Sequence, residues 1–250
     1  MPDQKSEARP CGTLLMLSSH IGNTEDMPLR SIRALKEADL VIFEEDRPAR
    51  RALKSAKVHR EYLRFSEHVQ KETLEALRNC LAKGGTAAYM SDQGCPVLAD
   101  PGFPVLAQAW ESGATIQVVP GPSSLTAALS ACPFRVTDFY YAGFLPRHAQ
   151  KRLDKINEIA KRQEAIILMD TPYRLKDLLS SLDHSPAAGR KCFLALDISG
   201  PDETWMTGSA ARLRKKIETV EKKLNFVLIL SELQKTPSGG RKARKPDKKA

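Results

Sequence analysis

What this 250-residue chain lacks narrows its chemistry before any motif is found. No apolar run approaches the roughly 18 residues a membrane-spanning helix needs, so no membrane partner is expected. The opening MPDQKSEARP has no hydrophobic core segment and does not read as a signal peptide. The five cysteines, Cys11, Cys80, Cys95, Cys132 and Cys192, are scattered and contain no C-x-x-C pair. That pattern excludes a disulfide framework and a cysteine zinc site, and it suits a reducing, cytoplasmic setting. His20, His59, His68, His148 and His184 form no H-x-x-x-H pair, so no metal is expected. There is no G-x-G-x-x-G after the first apolar run, no G-x-x-x-x-G-K-[ST] and no G-x-S-x-G. Hydride transfer on a dinucleotide, nucleotide hydrolysis and acyl transfer from a serine elbow lose their sequence support.

What is present reads as a globular protein, with 42% apolar and 28% charged residues. The formal charge of +9 is concentrated at one end, because residues 235–250 carry seven Lys/Arg against one Asp. That segment contains no hydrophobic side chain larger than alanine and is expected to be disordered. It is either a solvated tail or a weak, salt-sensitive anchor for a phosphate backbone.

Apolar runs alternate with helical spacing. TLLMLSS, ADLVIFEE, TAAYMS and TIQVVPG read as strands, with helices over 28–38, 49–57, 71–83 and 104–112 between and after them. Such alternation predicts a parallel sheet covered by helices. Farther on, DFYYAGF, EAIILMD, KCFLALDIS and NFVLILS read as strands, and 123–131, 149–162, 173–182 and 209–223 as helices. A break near PGPSS divides the chain into two α/β domains, 11–121 and 122–234, without an internal repeat.

Ligands of open α/β sheets sit beyond the carboxyl ends of the strands. Those ends carry SHIGN, EEDR, SDQGCP, PGPSS, MDTPYR and LDIS, each with small, kinked or hydrogen-bonding residues. The stretch SDQGCPVLADPG stands out, since two glycines, two prolines and two aspartates exceed what a simple turn needs.

The segments SSHIGNTEDMPLRSIRALKEADLVIFEEDR, SDQGCPVLADPG, VVPGPSSLTAALSA and GFLPR resemble the tetrapyrrole methylase family of S-adenosyl-L-methionine (SAM)-dependent methyltransferases. The likeness spans nearly all of residues 11–233. It is nearest to the branch that 2′-O-methylates a cytidine of small-subunit ribosomal RNA. The resemblance implies two α/β domains with SAM in the cleft between them, a homodimer, and RNA as the favoured acceptor. The family's cofactor contacts fall on Ile21, Ser91, Asp92, Leu98, Ser123, Ser124, Asp170 and Ile198. The Asp92 loop is then expected to bring backbone and a carboxylate against a cationic cofactor. Glu44 and Arg47 match the glutamate and arginine of the family's E-D-T-R loop. They serve either as base and acceptor-positioning group or as a structural ion pair at a strand end.

The chain departs from the RNA-methylating branch at several places. T-P-I-G-N is Ser19-His20-Ile21-Gly22-Asn23 here, and H-x-H keeps only His68, with Ser66 at the first position. E-S-x-H-R becomes Asp170-Thr171-Pro172-Tyr173-Arg174, and R-E-L-T becomes Leu196-Asp197-Ile198-Ser199. SAM binding survives these changes. The acceptor stays open between RNA and a tetrapyrrole or other small anion, and a non-catalytic SAM- or RNA-binding protein is the alternative of another class. Cys95 reads as a small polar filler where the family has threonine, and His20 as a solvated or capping loop residue. Trp110 and Trp205 are assigned to core or interface, and alternation sends one of Tyr140 and Tyr141 into the core.

Overall fold

The computed structural model describes residues 11–65, 70–220 and 222–233. His68 with its loop and the basic segment 235–250 lie outside the described residues. The first half runs β1 (Thr13–Leu17), α1 (Leu29–Glu37), β2 (Leu40–Phe43), α2 (Asp46–Ala56), β3 (Leu63–Arg64), α3 (Gln70–Ala82), β4 (Thr86–Met90), α4 (Phe103–Glu111) and β5 (Thr115–Val119). Its sheet has the order β3-β2-β4-β1-β5, and every pairing in it is parallel.

The burial of this sheet explains its sequence. In β4, Ala88 and Met90 face one core with Leu17, Val41 and Phe43, where Ala49, Ala52, Leu53 and Ala56 of α2 pack. Ala87 and Tyr89 face the other core with Leu14, Met16 and Ile42, covered by Leu77 and Leu81 of α3 and Val105 of α4. The inner strands are buried on both faces, so they are continuous apolar runs, whereas the edge strand β5 is largely exposed.

The second half runs α5 (Ser124–Ala131), β6 (Phe139–Gly143), α6 (Ala149–Ala160), β7 (Ala165–Asp170), α7 (Leu175–Asp183), β8 (Cys192–Leu196), β9 (Thr204–Gly208), α8 (Ala210–Ile217) and β10 (Phe226–Leu230). Its sheet is ordered β6-β7-β10-β8-β9, and only β6 and β7 pair in parallel. β10 inserts antiparallel between β7 and β8, and β9 closes the edge antiparallel to β8. The first sheet is therefore of the expected parallel kind, and the second is mixed.

Two strands escaped the sequence reading. β3 is two residues long, and β9 (TWMTG) carries exposed Trp205 and Thr207 between half-buried neighbours. An edge strand with a weak apolar pattern looks like a loop. Trp205 is 40% exposed and stacks on Phe193 at 5.8 Å, and Trp110 is 66% exposed, so neither is a core residue. Tyr140 and Tyr141 both pack, against cores on opposite faces of the sheet.

The chain crosses from the first sheet to the second after β5, and Ala128 of α5 already belongs to the second sheet's core. The carboxyl ends of β2, β4, β7 and β8 and the amino end of β10 converge on one cleft. Gly22 lets the halves pack tightly: a Cβ there would lie 2.5 Å from the carbonyl of Ile198 and 2.6 Å from the amide of Gly200. Around it the Asn23 amide donates to Ser199 Oγ at 3.3 Å, and the Ser199 hydroxyl donates to Asp26. Asn225 Nδ2 donates to Gln93 Oε1 at 3.3 Å across the same junction.

Candidate functional site

The cleft has a volume of about 890 Å³. Its most elaborate wall is the 91–102 loop after β4. Gly94, Val97 and Ala99 all hold left-handed backbone, with φ of 71°, 78° and 64°. For a β-branched residue such as Val97 that conformation is strained. One side chain holds it: the Asp100 carboxylate accepts from the amides of Val97 and Gly102, each at 2.7 Å. The buried Tyr89 hydroxyl donates to the same carboxylate at 3.5 Å. Gly102 lies so close to Tyr89 that a Cβ would come within 2.5 Å of its ring. The Gly94 amide donates to the His20 carbonyl at 3.2 Å, and the Gly94 carbonyl accepts from the Ser19 amide at 2.9 Å. The richness of the loop in glycine and aspartate is thus a means of fixing an unusual backbone path against the β1 loop.

At the adjacent ends of β2 and β4 two acids cross-brace. Glu44 Oε2 accepts from the Asp92 amide at 3.3 Å, and Asp92 Oδ1 accepts from the Glu45 amide at 3.2 Å. Burial, reinforced by the neighbouring Asp92 charge, raises the Glu44 carboxyl to about 7. Burial likewise raises Asp92 to about 6, opposed by its bond from Glu45. Asp100 is also pushed up by burial, against the pull of the Gly102 and Val97 amides. Such tuning places a carboxylate's proton exchange in the neutral range.

On the opposite wall Asp170 ends β7. Its Oδ1 accepts from the Thr171 amide at 2.8 Å and from Arg174 at 3.1 Å, and that arginine also donates to the carbonyls of Leu145 and Pro146. Asp170 Oδ2 is buried without a partner, and so is Nδ1 of half-buried His20. Burial and the charge of Arg51 lower the His20 pKa. Unpaired buried polar atoms at a cleft are the features a bound ligand would satisfy.

Of the residues singled out in the sequence, Ile21, Glu44, Asp92, Leu98, Ser123, Ser124, Asp170 and Ile198 all line this cleft. Ser91 does not line it. It is buried behind the loop, and its hydroxyl donates to the carbonyls of Gln93 and Gly94. Arg47 is exposed on the first turn of α2 and is absent from the lining. It makes no ion pair with Glu44, whose carboxylate instead meets the Asp92 amide. Arg51, four residues on, lines the cleft in its place. Arg51 went unnoticed in the sequence, although helical spacing from Arg47 was the available signal. Asp100 was also missed as the clamp of its loop. Among the described residues no group of three or more His, Cys, Asp and Glu is arranged to hold a metal ion.

Residues 15–214 match the family described as Tetrapyrrole (Corrin/Porphyrin) Methylases. The chain belongs to this family. It is a methyltransferase of two α/β sheets. It is 30% identical to a Ribosomal RNA small subunit methyltransferase I of Leptospira borgpetersenii, over 95% of this chain and 94% of the relative. A protein of the same name from Thermotoga maritima is 29% identical over 88% of this chain and 98% of its own length. Among solved structures, a cobalt precorrin-4 methyltransferase superposes with a TM-score of 0.65 at 14% identity, covering 88% of this chain and 94% of the other. A uroporphyrin-III-C-methyltransferase from Thermus thermophilus gives 0.61 at 19% identity, with coverage of 88% and 94%. At those identities the structures speak for the fold alone.

Proposed function

We propose that this methyltransferase transfers a methyl group from SAM to a ribose 2′-oxygen of small-subunit ribosomal RNA, acting in the cytoplasm as a homodimer. The observation that carries the reading is the Glu44–Asp92 pair, a carboxyl near neutrality in the wall of an acidic cleft. The cleft is lined by six carboxylates, Glu44, Glu45, Asp92, Asp100, Asp170 and Asp197, against the single arginine Arg51. Such a lining suits a cationic cofactor and opposes a polycarboxylate substrate, which disfavours a tetrapyrrole.

The residues present fit SAM. Ile21, Leu98, Leu125, Ile198 and Val227 offer apolar surface for an adenosine, and the unpaired Asp170 Oδ2 can accept from its polar groups. When bound, SAM supplies an already activated methyl group, so the protein contributes orientation and exclusion of water. The acceptor hydroxyl must lose its proton as the new carbon–oxygen bond forms. Glu44, with a pKa of about 7, is matched to take that proton at neutral pH. Asp92 holds the Glu44 carboxylate through its own amide, and the Asp100 clamp fixes the loop that presents it. The names of the relatives support ribosomal RNA as the acceptor. A second copy is supported by apolar surface on α4 and the edge strand β5, where Phe103 is 63%, Trp110 66% and Val118 59% exposed.

Methyl transfer from radiolabelled SAM to small ribosomal subunits, to their isolated RNA and to a uroporphyrinogen tests the reading. Label in a ribose of the RNA and none in the tetrapyrrole is expected, and Glu44→Gln should abolish most of it even at SAM concentrations that saturate the variant. Label in the tetrapyrrole, or in no RNA, rejects it.

A further inference from the structure

The same six carboxylates that welcome a cation repel a phosphodiester chain. A nucleoside can enter the cleft, but the backbone on either side of it must be held elsewhere. Helix α2 supplies the surface. Its buried stripe is Ala49, Ala52, Leu53 and Ala56, and its opposite face carries Arg47, Arg50, Arg51 and Lys54. Arg51 looks into the cleft, whereas Arg50 and Lys54 line a second, shallow groove of about 750 Å³ between the same helix and the 57–62 segment that follows it. Lys57, His59 and Arg60 add to its charge, Leu53, Val58 and Tyr62 form its apolar floor, and Glu61 is the acid on it.

We propose that this groove docks the phosphate backbone of the acceptor RNA beside the nucleotide that enters the cleft. The proposal rests on the reading that the acceptor is RNA. The same helix contributes to the cleft and to the groove, so the groove and the reaction centre are held at a fixed distance. From Arg50 to Ala56 the helix rises about 9 Å, with Lys57 just beyond its end. Two of the cations have structural duties: Arg50 pairs with Asp46 at 2.9 Å, and Arg60 donates to the Lys36 carbonyl at 2.9 Å at the end of α1. Lys54 and Lys57 make no ion pair among the described residues, and both are exposed. Lys57 also occupies the left-handed C-terminal position of α2, at φ 53°, its amide donating to the Leu53 and Lys54 carbonyls. Glycine is the favoured residue there, and the chain keeps a cation instead.

The test is the double variant Lys54→Ala/Lys57→Gly, whose glycine relaxes the backbone while both charges go. Binding to small ribosomal subunits and to a single-stranded fragment of their RNA is measured between about 50 and 300 mM salt. The slope of log K against log salt should lose about 1.4, at about 0.7 for each lost phosphate contact, and KM for RNA should rise roughly tenfold. The kcat at saturating RNA and the affinity for SAM should stay at wild-type values. Lys215→Ala/Lys216→Ala, which removes two exposed cations of α8 beside the other sheet, should change neither slope nor KM. Wild-type methylation of RNA with an unchanged slope and KM in the double variant overturns the groove. An equal loss in the α8 variant overturns it too, because the effect would then be one of net charge. If the wild type methylates no RNA, the proposed function falls first and the groove with it.

Discussion

The half-buried acids at the ends of β2 and β4 make cofactor affinity a function of pH, and the sign follows from their positions. Glu44 is raised from 4.5 to about 7 and Asp92 from 3.8 to about 6, in both cases chiefly by burial. A cationic cofactor favours their ionised forms, so protons held below neutrality must leave before it binds. If binding needs both ionised, affinity at pH 6 falls about twentyfold below its value at pH 8. S-adenosylhomocysteine lacks the sulfonium charge and should follow a flatter curve. Unfolding carries the opposite sign. A folded-state pKa above the unfolded one gives stability that is fully present below about pH 4 and is lost as pH rises through about 6 to 7. Glu44→Gln copies the protonated state, so its melting temperature should match wild type near pH 4 and exceed it at pH 8. Calorimetric titration of SAM across this range, in buffers of different ionisation enthalpy, measures both affinity and protons released. Affinity for SAM that is flat from pH 5.5 to 8, with no proton release, would refute the assignment of these carboxyls to the cofactor's charge.

Three further outcomes are expected. Gly22→Ala drives a methyl group into the Ile198–Gly200 backbone and should cost about 1–3 kcal/mol of stability with weakened SAM binding, read by urea unfolding and calorimetry. Wild-type values in both would show that the halves separate freely there. Arg190 is 3% exposed and donates to the carbonyls of Ala160, Arg162, Glu164 and Ser231. Arg190→Met leaves these acceptors bare and should lower stability by about 3–5 kcal/mol, and a loss under 1 kcal/mol by urea unfolding contradicts that role. Arg47→Ala should keep SAM affinity and kcat within about twofold, because the side chain is exposed and outside the cleft. A hundredfold loss of kcat at saturating RNA would place Arg47 in the reaction after all.

Local pattern alone was enough for much of this protein. The runs TLLML, LVIF and TAAYM are continuous because both of their faces are buried, and the helices between them show the spacing that buries one face. A parallel first sheet with ligand loops at its carboxyl ends follows from those two periods. Strand direction in the second half does not follow, because β8, β9 and β10 are each apolar or alternating in either orientation. Only pairing with a neighbour makes β10 antiparallel to both β7 and β8. The site divides in the same way. Backbone need was legible in the glycines and aspartates of the 91–102 loop, since left-handed residues and their carboxylate clamps are local. That Asp100 is the clamp, that Asp170 spends one oxygen on Arg174, and that Arg51 rather than Arg47 reaches the cleft depend on which way a chain segment faces once packed. The neutral-range carboxyl of Glu44 is likewise a tertiary property: it comes from burial in the fold and from the charge of Asp92, 48 residues away in sequence, which no single-strand pattern contains.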